Sequence, residues 1–297
     1  MVDVVLTPER PLASGTDVPG RVTLRQGGSA ANTARWLARL GARTGLVCAV
    51  GRDGAGRLLI ETLRAEGVTV RAARVTGRAT GRIGVIVAPG GERSFVADRG
   101  AADELRPTDL RGSWFTAELL HLPAYSLLGA PLGDAGRAAI GQARAAGALV
   151  SLDLASIGPL LARGRRAARA LVRETAADVL FATESEAEAL LGRYALDDML
   201  EYGPLAVVKR GGRGATLLAA GGPTGRDRLR FEVATTAIAA PDTTGAGDAF
   251  DAGFLVAWLG ARAEGRDGPA ALRQAVLAGH RTATRHLRGP RPDLAFA

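Results

Sequence analysis

The chain has 297 residues, 47% of them hydrophobic and 23% charged, and a formal net charge of +8 at pH 7. This length and balance fit one globular α/β enzyme domain with a large core, and they exclude an intrinsically disordered chain. The positive charge does not indicate a nucleic-acid partner, because the basic residues are almost all arginines that are scattered over helices and not clustered with aromatic residues.

Two regions, at about residues 4–25 and 76–100, break the helix and strand pattern of the rest of the chain. In the second region, Gly81–Pro89 and Glu92–Asp98 are strand-like and flank Gly90-Gly91, which is typical of a β-hairpin. The second region is therefore predicted to form a β-hairpin.

A glycine pair precedes the first predicted helix. The run Gly27-Gly28-Ser29-Ala30-Ala31-Asn32 leads into an alanine- and leucine-rich helix that ends at Gly41. Two adjacent glycines let a ligand approach the backbone, and the Asn32 amide offers a donor and an acceptor that suit a vicinal diol. In isolation the pattern fits a sugar site and a plain loop-to-helix junction equally well.

The chain between and after these regions alternates short apolar strands with longer helices, the pattern of a parallel sheet covered on both faces. Strands are predicted at Thr44–Val50, Leu119–Leu122, Leu149–Leu154, Val179–Phe181 and Leu205–Lys209. Helices are predicted at Gly56–Glu66, Asp134–Ala146, Leu160–Glu174 and Glu184–Leu191. The predicted fold class is therefore α/β, with a doubly wound, mostly parallel sheet.

The most informative run is Asp242-Thr243-Thr244-Gly245-Ala246-Gly247-Asp248-Ala249-Phe250, which leads into an apolar helix reaching Leu259. Backbone N–H groups at Gly245, Ala246 and Gly247 have no partner within the helix, so this start is an anion site. Asp248 lies on the first turn, where a carboxylate suits the helix dipole and can act as a general base. The run predicts a phosphoryl-transfer site, whereas a bare Gly-x-Gly-Asp would fit an ordinary helix start.

These motifs resemble the two signatures of the PfkB, or ribokinase-like, carbohydrate kinases. The run from Asp242 to Phe250 resembles the second signature, and Gly27 to Asn32 with the later Leu37-Ala38-Arg39-Leu40-Gly41-Ala42 resembles the first. The resemblance extends over nearly the whole of residues 1–297, as a single kinase domain. It implies a ribokinase-like fold in which the strands within about 4–25 and 76–100 form a small β lid over a sugar.

The resemblance also implies roles for single residues. Asp248 takes the proton of the attacking hydroxyl as the catalytic base, and the amides of Gly245, Ala246 and Gly247 hold the charge on the transferred phosphoryl group. The residues that match sugar-binding positions are Asp3, Gly27, Gly28 and Asn32.

The ATP site is implied by a strand and glycine turn at Ala206–Ala215. Lys209 occupies the polar position that contacts phosphates, with Gly211 and Gly214 as the glycines; Lys209 is the only lysine of the chain, and a compact ammonium suits phosphate. A β-hairpin is the alternative for the turn alone. His280 lies where some members place a residue beside adenine, although a helix histidine on a partly exposed face is the alternative.

The expected cofactors are ATP and Mg²⁺, with K⁺ as a further ion. Glu186 in Thr183-Glu184-Ser185-Glu186 matches the glutamate of the family's Asn-x-x-Glu pattern, which holds Mg²⁺ through water. Thr183 replaces the asparagine, and it can still hold a water at the ATP site. Asp242 and Thr244 resemble positions whose backbone carbonyls bind a monovalent cation in some members.

The N-terminus departs from the family pattern, because no strand precedes Asp3. We therefore expect that the first core strand is missing, and that either the true start lies upstream or the sheet lacks a central strand.

The predicted function is ATP-dependent phosphorylation of a hydroxyl of a small sugar or sugar acid. A nucleoside kinase of the same fold and a noncatalytic sugar- or nucleotide-binding regulator are the alternatives, while the pattern of a nicotinamide dehydrogenase is absent. The apolar run from Arg82 to Val87 predicts a homodimer through the lid. Because Cys48 is the only cysteine, and because no leader or apolar stretch of roughly 20 residues is apparent, a cytoplasmic enzyme is expected, with no membrane as a partner.

Overall fold

The computed structural model describes residues 1–88, 92–192, 196–221, 227–240, 242–290 and 293–294. The chain divides into two compact units. Unit 1 comprises Met1–Leu105, Ala239–Gly245 and Arg285–Ala297, and unit 2 comprises Arg106–Ile238 and Ala246–Thr284.

Unit 1 contains six strands and two α-helices among its described residues. In chain order they are β1 (Val2–Pro8), β2 (Gly20–Gln26), α1 (Ser29–Arg39), β3 (Gly45–Gly51), α2 (Gly54–Ala65), β4 (Thr69–Val75), β5 (Thr80–Val87) and β6 (Arg93–Gly100).

Four of these strands form one sheet in the order β2-β1-β5-β6. β1 pairs antiparallel with β2 and parallel with β5, so that Asp3 lies opposite both Arg25 and Ile83. β5 and β6 pair antiparallel, as the predicted hairpin requires; its predicted turn, Gly90-Gly91, lies outside the described residues. The strands of the two regions at about residues 4–25 and 76–100 thus pair with one another in a sheet of four strands.

The strand predicted at Thr44–Val50 does not join a large sheet. As β3 it pairs in parallel with β4, and these two strands form a sheet of their own. The 12-residue helix α2 forms the crossover connection that a parallel pair requires. Asp53 caps this helix by accepting from the N–H of Gly56 at 2.8 Å. Apolar side chains from α1, β3, α2 and β4 form the buried core here, including Ala34, Leu46, Val50, Ile60, Leu63 and Val70.

Unit 2 holds the large sheet. Its elements are β7 (Leu119–Pro123), α3 (Leu132–Ala145), β8 (Leu149–Asp153), α4 (Ile157–Leu161), α5 (Arg165–Glu174), β9 (Val179–Thr183), α6 (Glu184–Leu191), β10 (Leu205–Lys209), β11 (Ala215–Gly221), β12 (Asp227–Val233), α7 (Ala246–Ala263) and α8 (Pro269–Arg288), the last residues of which are counted with unit 1.

The six strands of this sheet run in the order β12-β11-β10-β9-β8-β7. Strands β7 to β10 are parallel, and β11 and β12 are antiparallel. The predicted helix Leu160–Glu174 is interrupted, because Gly164 adopts a left-handed conformation with φ of 86° between α4 and α5. The other predicted strands and helices of this unit are found within a few residues of their expected bounds, so the α/β fold class is confirmed.

Candidate active site

The carboxyl ends of the parallel strands in unit 2 carry polar residues at one edge of the sheet. Asp153 ends β8, Thr183 ends β9 and Lys209 ends β10. In open α/β sheets, ligands bind outside the carboxyl ends of the strands. The first turn of α7, with Gly247 and Asp248, belongs to the same unit.

Lys209 is held by two buried carboxyl groups. Its Nζ donates to Oδ2 of Asp153 at 3.1 Å and to Oδ1 and Oδ2 of Asp251 at 3.0 and 3.2 Å. The exposed fractions of these side chains are 10% for Lys209, 5% for Asp153 and 0% for Asp251. Burial alone would lower the pKa of Lys209, but the negative charges of Asp153 and Asp251 raise it, so the ammonium is charged.

The sequence analysis assigned no role to Asp153 or Asp251. Asp251 lies in α7, three residues after Asp248 and among apolar residues. A carboxyl group is rarely buried without a partner. The presence of Asp251 in that apolar helix was the available signal, but the sequence did not identify the partner. Burial raises the pKa of Asp251 well above its usual range, whereas in Asp153 the Lys209 charge outweighs burial and lowers the pKa.

The start of α7 has the backbone geometry that the sequence predicted. Gly245 has φ of 82°, a left-handed conformation that favours glycine, and α7 begins at the next residue. A Cβ added to Gly247 would lie 3.4 Å from Nζ of Lys209, so the backbone at Gly247 lies beside that ammonium. Asp248 follows on the first turn of the helix.

Thr183 and Glu186 form a capping box at the start of α6. The N–H of Thr183 donates to Oε2 of Glu186 at 2.7 Å, and the N–H of Glu186 donates to Oγ1 of Thr183 at 3.3 Å. Burial, and then the negative charge of Asp153, raise the pKa of Glu186. The threonine that replaces the family's asparagine therefore has a structural role as the helix cap.

The glycine turn after β10 is a hairpin turn, as the alternative interpretation expected. The N–H of Arg210 donates to the carbonyl of Gly214 at 2.8 Å, and β10 continues into antiparallel β11. Gly211 and Gly214 have φ of 57° and 97°. A Cβ at Gly214 would lie 2.1 Å from the carbonyl oxygen of Val233, so only glycine fits there.

His280 is buried and does not lie on the partly exposed helix face that the alternative interpretation expected. Its Nε2 lies 3.2 Å from the same Val233 carbonyl, and its ring packs edge-on against Phe250. Burial lowers the pKa of His280. His280 and Gly214 are 66 residues apart in the sequence, yet both lie close to the carbonyl oxygen of Val233.

The predicted sugar-binding residues lie together in unit 1. A Cβ added to Gly27 would fall 1.8 Å from Oδ1 of Asp3, so the Asp3 carboxyl group occupies the space that a larger residue would need. Gly28 has φ of 99° and precedes α1, whose first turn carries Asn32. Nδ2 of Asn32 would lie 3.4 Å from a Cβ on Gly245, so the two motifs found in the sequence meet here.

Two of these residues, Asp3 and Asn32, line a cavity of about 720 Å³ within unit 1. Gln26, which the sequence analysis did not single out, also lines it. Both polar atoms of the Gln26 amide are buried and have no hydrogen-bond partner in the part of the chain that the structure describes. The cavity is also lined by Trp36, Arg93, Thr244 and His286.

The Asp242 side chain is held by two arginines at this cavity. Its carboxyl oxygens lie 3.0 Å from Arg25 and 3.0 Å from Arg93, and one of them also accepts from the N–H of Thr244 at 2.9 Å. These bonds fix the turn that leads to Gly245.

His286 is a second residue that the sequence analysis missed. Its Nδ1 accepts from Nε1 of Trp36 at 3.1 Å, and its Nε2 lies 2.7 Å from the carbonyl oxygen of Thr244. The only signal in the sequence was a histidine near the end of α8, and nothing in that pattern indicates a partner in α1.

The described residues contain no group of three or more His, Cys, Asp or Glu that could hold a metal ion by themselves. A helix long and apolar enough to cross a membrane is likewise not found in the described part of the chain.

Comparison with known proteins identifies the relatives of this chain. The family model for pfkB family carbohydrate kinases matches residues 1–291. A fructokinase of Rhizobium leguminosarum bv. trifolii is 30% identical over 77% of this chain and 70% of its own length. The crystal structure of adenosine kinase from Sinorhizobium meliloti is similar with a TM-score of 0.78 at 25% identity, covering 98% of this chain and 93% of that one. A putative ribokinase II from E. coli, solved in complex with ATP and Mg²⁺, shares the fold with a TM-score of 0.74 at 24% identity, covering 99% of this chain and 93% of that one.

Proposed function

The chain belongs to the pfkB family of carbohydrate kinases and is an ATP-dependent carbohydrate kinase, and on that premise we propose that it phosphorylates a hydroxyl of a small sugar or sugar acid. The observation that carries this proposal is the meeting of the two motifs in unit 1, where Asn32 lies beside Gly245. Three residues after Gly245 the chain reaches Asp248, on the first turn of α7.

Asp248 is the proposed catalytic base, and the amides of Gly245, Ala246 and Gly247 are proposed to hold the charge of the transferred phosphoryl group. The left-handed Gly245 and the helix start directly after it support this role, because unpaired N–H groups at a helix N-terminus favour anions. A positioned base contributes roughly 10²–10⁴-fold to such a reaction, and the anion site contributes a further electrostatic term.

Asp3, Gly27, Gly28 and Asn32 are the proposed sugar-binding residues, and Gln26 joins them. A buried amide whose donor and acceptor both lack a partner costs free energy unless a ligand completes its bonds. A sugar hydroxyl can both accept and donate, and it therefore suits this side chain. The cavity volume of about 720 Å³ leaves room for a small carbohydrate.

Thr183, Lys209, Gly211, Gly214 and His280 are the residues that the family resemblance assigns to ATP. Gly214 and His280 both lie close to the carbonyl oxygen of Val233, which supports the assignment of these two residues to one site.

The residues present fit a magnesium ion held through water. The capping box uses Oε2 of Glu186. Glu186 lies in the first turn of α6, directly after the end of β9, and it is the proposed ligand of the magnesium-bound water. A bound Mg²⁺ neutralises charge on the phosphates of ATP. A monovalent cation at the backbone carbonyls of Asp242 and Thr244 stays a prediction, and equal rates in potassium and in a large organic cation would contradict it.

A homodimer through the lid is also proposed, in the cytoplasm, where ATP is available. Apolar side chains of the four-stranded sheet support it, because Val22, Phe95 and Val96 are exposed by 64%, 59% and 67%. Light scattering at micromolar concentration checks the dimer, and a mass equal to one chain contradicts it.

The test of the function is ADP release from ATP and Mg²⁺ across free sugars, sugar acids and nucleosides. Turnover of a sugar or sugar acid is the expected result. Turnover of nucleosides alone favours the nucleoside kinase, a class to which the adenosine kinase neighbour belongs. Binding of a sugar or of ATP without ADP release favours a noncatalytic regulator.

The assignment of the base is tested separately with Asp248→Asn. This variant should lose turnover by roughly 10²–10⁴-fold and keep its affinity for ATP, because only the proton acceptor is removed. Asp134→Asn is the matched control, since Asp134 also lies in the first turn of a helix, α3, and is exposed. Turnover of Asp248→Asn close to that of Asp134→Asn would refute the assignment.

A further inference from the structure

We propose that Lys209, together with Asp153 and Asp251, positions the first turn of α7 and is not a ligand of the ATP phosphates. This inference rests on the proposed function, because that turn carries the proposed base and anion site. It changes the role that the sequence alone suggested for the single lysine.

The contacts of the ammonium group leave little for a phosphate. An ammonium has three N–H donors, and Nζ of Lys209 has three carboxyl oxygens within 3.2 Å. The Phe181 ring lies below it, with its centroid 5.7 Å from Nζ. Only 10% of the Lys209 side chain is exposed, so a phosphate oxygen would have to displace a carboxyl group.

The same contacts connect the sheet to the helix that carries the proposed base. Lys209 ends β10 and Asp153 ends β8, whereas Asp251 lies on α7, one helical turn after Asp248. Gly247 is also close, because a Cβ there would be 3.4 Å from Nζ. The buried ammonium of Lys209 therefore fixes the orientation of this first turn relative to the strands β8 and β10.

The two carboxyl groups of this cluster differ in their affinity for a proton. In Asp153 the Lys209 charge outweighs burial and lowers the pKa, whereas burial raises the pKa of Asp251 well above its usual range. Oxygens of both carboxyl groups lie within 3.2 Å of Nζ of Lys209, so the charge of the ammonium is compensated inside the cluster.

Removal of the cation separates the two roles of Lys209. In Lys209→Met we expect kcat to fall by about 100-fold, because a misplacement of about 1 Å is enough for such a loss, while the Kd for ATP changes by less than about threefold. In Asp251→Asn the amide oxygen can still accept from Lys209, so kcat should fall less than in Lys209→Met.

A double variant addresses simple misfolding. Lys209→Met with Asp153→Asn removes one positive and one negative group, so the net charge of the cluster equals that of the parent and we expect thermal stability to recover from that of Lys209→Met. Under the proposal its kcat stays low, because the link from β10 to α7 is still missing. Recovery of kcat together with stability would mean that the cluster acts through folding alone, and it would overturn the proposal.

The measurements are kcat, KM for ATP and the Kd for ATP by calorimetry, with Arg166→Met as a control for the loss of one positive charge at an exposed site on α5. A Kd for ATP raised tenfold or more in Lys209→Met, with kcat nearly unchanged, would assign Lys209 to the phosphates and overturn the proposal. The ATP affinities decide between these roles even when the parent protein turns over none of the tested substrates, a result that would reject the proposed function by itself.

Discussion

The imidazole of His286 lies 2.7 Å, through Nε2, from the carbonyl oxygen of Thr244, directly before the turn that opens α7. The Trp36 indole N–H is a donor only, so Nδ1 of His286 accepts and the ring proton is on Nε2. The neutral imidazole thus joins the carbonyl of Thr244 to α1, the helix that carries Asn32. Both contacts lie within unit 1 and define how the two sequence motifs are held together.

His286→Phe is expected to lower kcat/KM for the sugar by about tenfold. The variant keeps a ring of similar size but leaves the partly buried Thr244 carbonyl without this donor, at a cost of about 1 kcal/mol. Steady-state kinetics with the best substrate measure the effect. Trp36→Phe is the matched comparison, since it removes the indole donor and leaves the bond from His286 to Thr244; an equal loss in both variants would contradict a specific role for that bond.

Gly27→Ala is expected to abolish sugar binding and to leave ATP binding unchanged. The added Cβ would fall on the Asp3 carboxyl group, at 1.8 Å from Oδ1, so that Asp3 or the β2 end must move. Calorimetric titration with the sugar and with ATP checks both parts. Gly141→Ala is the control, because Gly141 in α3 has open space around its Cβ position. Normal sugar affinity in Gly27→Ala would show that Asp3 does not bind the substrate from this position.

Gln26→Met is expected to raise the KM for the sugar by about tenfold without lowering protein stability. The thioether has a similar length but cannot form hydrogen bonds of useful strength, so only a ligand that needs the amide is affected. Kinetics and thermal unfolding are measured side by side. Gln142→Met serves as the control, since Gln142 in α3 also has a buried Oε1 without a partner among the described residues. An unchanged KM in Gln26→Met would remove Gln26 from the substrate site.

A pH dependence of stability is expected from His121 in β7. Burial lowers the pKa of His121 to about 4; the charge of Asp153 raises this pKa and that of Lys209 lowers it, both by less than burial does. Nδ1 of the ring lies 2.9 Å from the Ser151 hydroxyl. The unfolded chain binds this proton near pH 6.5 and the folded chain only near pH 4, so stability falls as pH decreases through that window.

Denaturant unfolding of the parent protein and of His121→Phe between pH 7 and pH 4.5 measures this contribution. The parent should lose about 1–3 kcal/mol more than the variant over the range, since each unit of pKa shift corresponds to about 1.4 kcal/mol. Titrating groups that do not interact with His121 are common to both proteins and cancel in the difference. Parallel curves for the two proteins would contradict the assignment to His121.

Much of the fold was predictable because local patterns set it. The strands at β7 to β10 are short apolar runs between turn residues, and α6 and β10 have the bounds that the sequence predicted, Glu184–Leu191 and Leu205–Lys209. The helix start in the motif from Gly245 to Asp248 could also be predicted from the sequence. A glycine in a left-handed conformation directly before a helix depends only on neighbouring residues.

The tertiary structure decided which distant residues act together. Lys209 is 56 residues from Asp153 and 42 from Asp251, and Trp36 is 250 residues from His286. No local pattern indicates such pairs, because they depend on strand order and on the direction in which each helix packs. For the same reason the sequence identified a lysine suited to phosphate, whereas the folded chain buries this lysine between the carboxyl groups of Asp153 and Asp251.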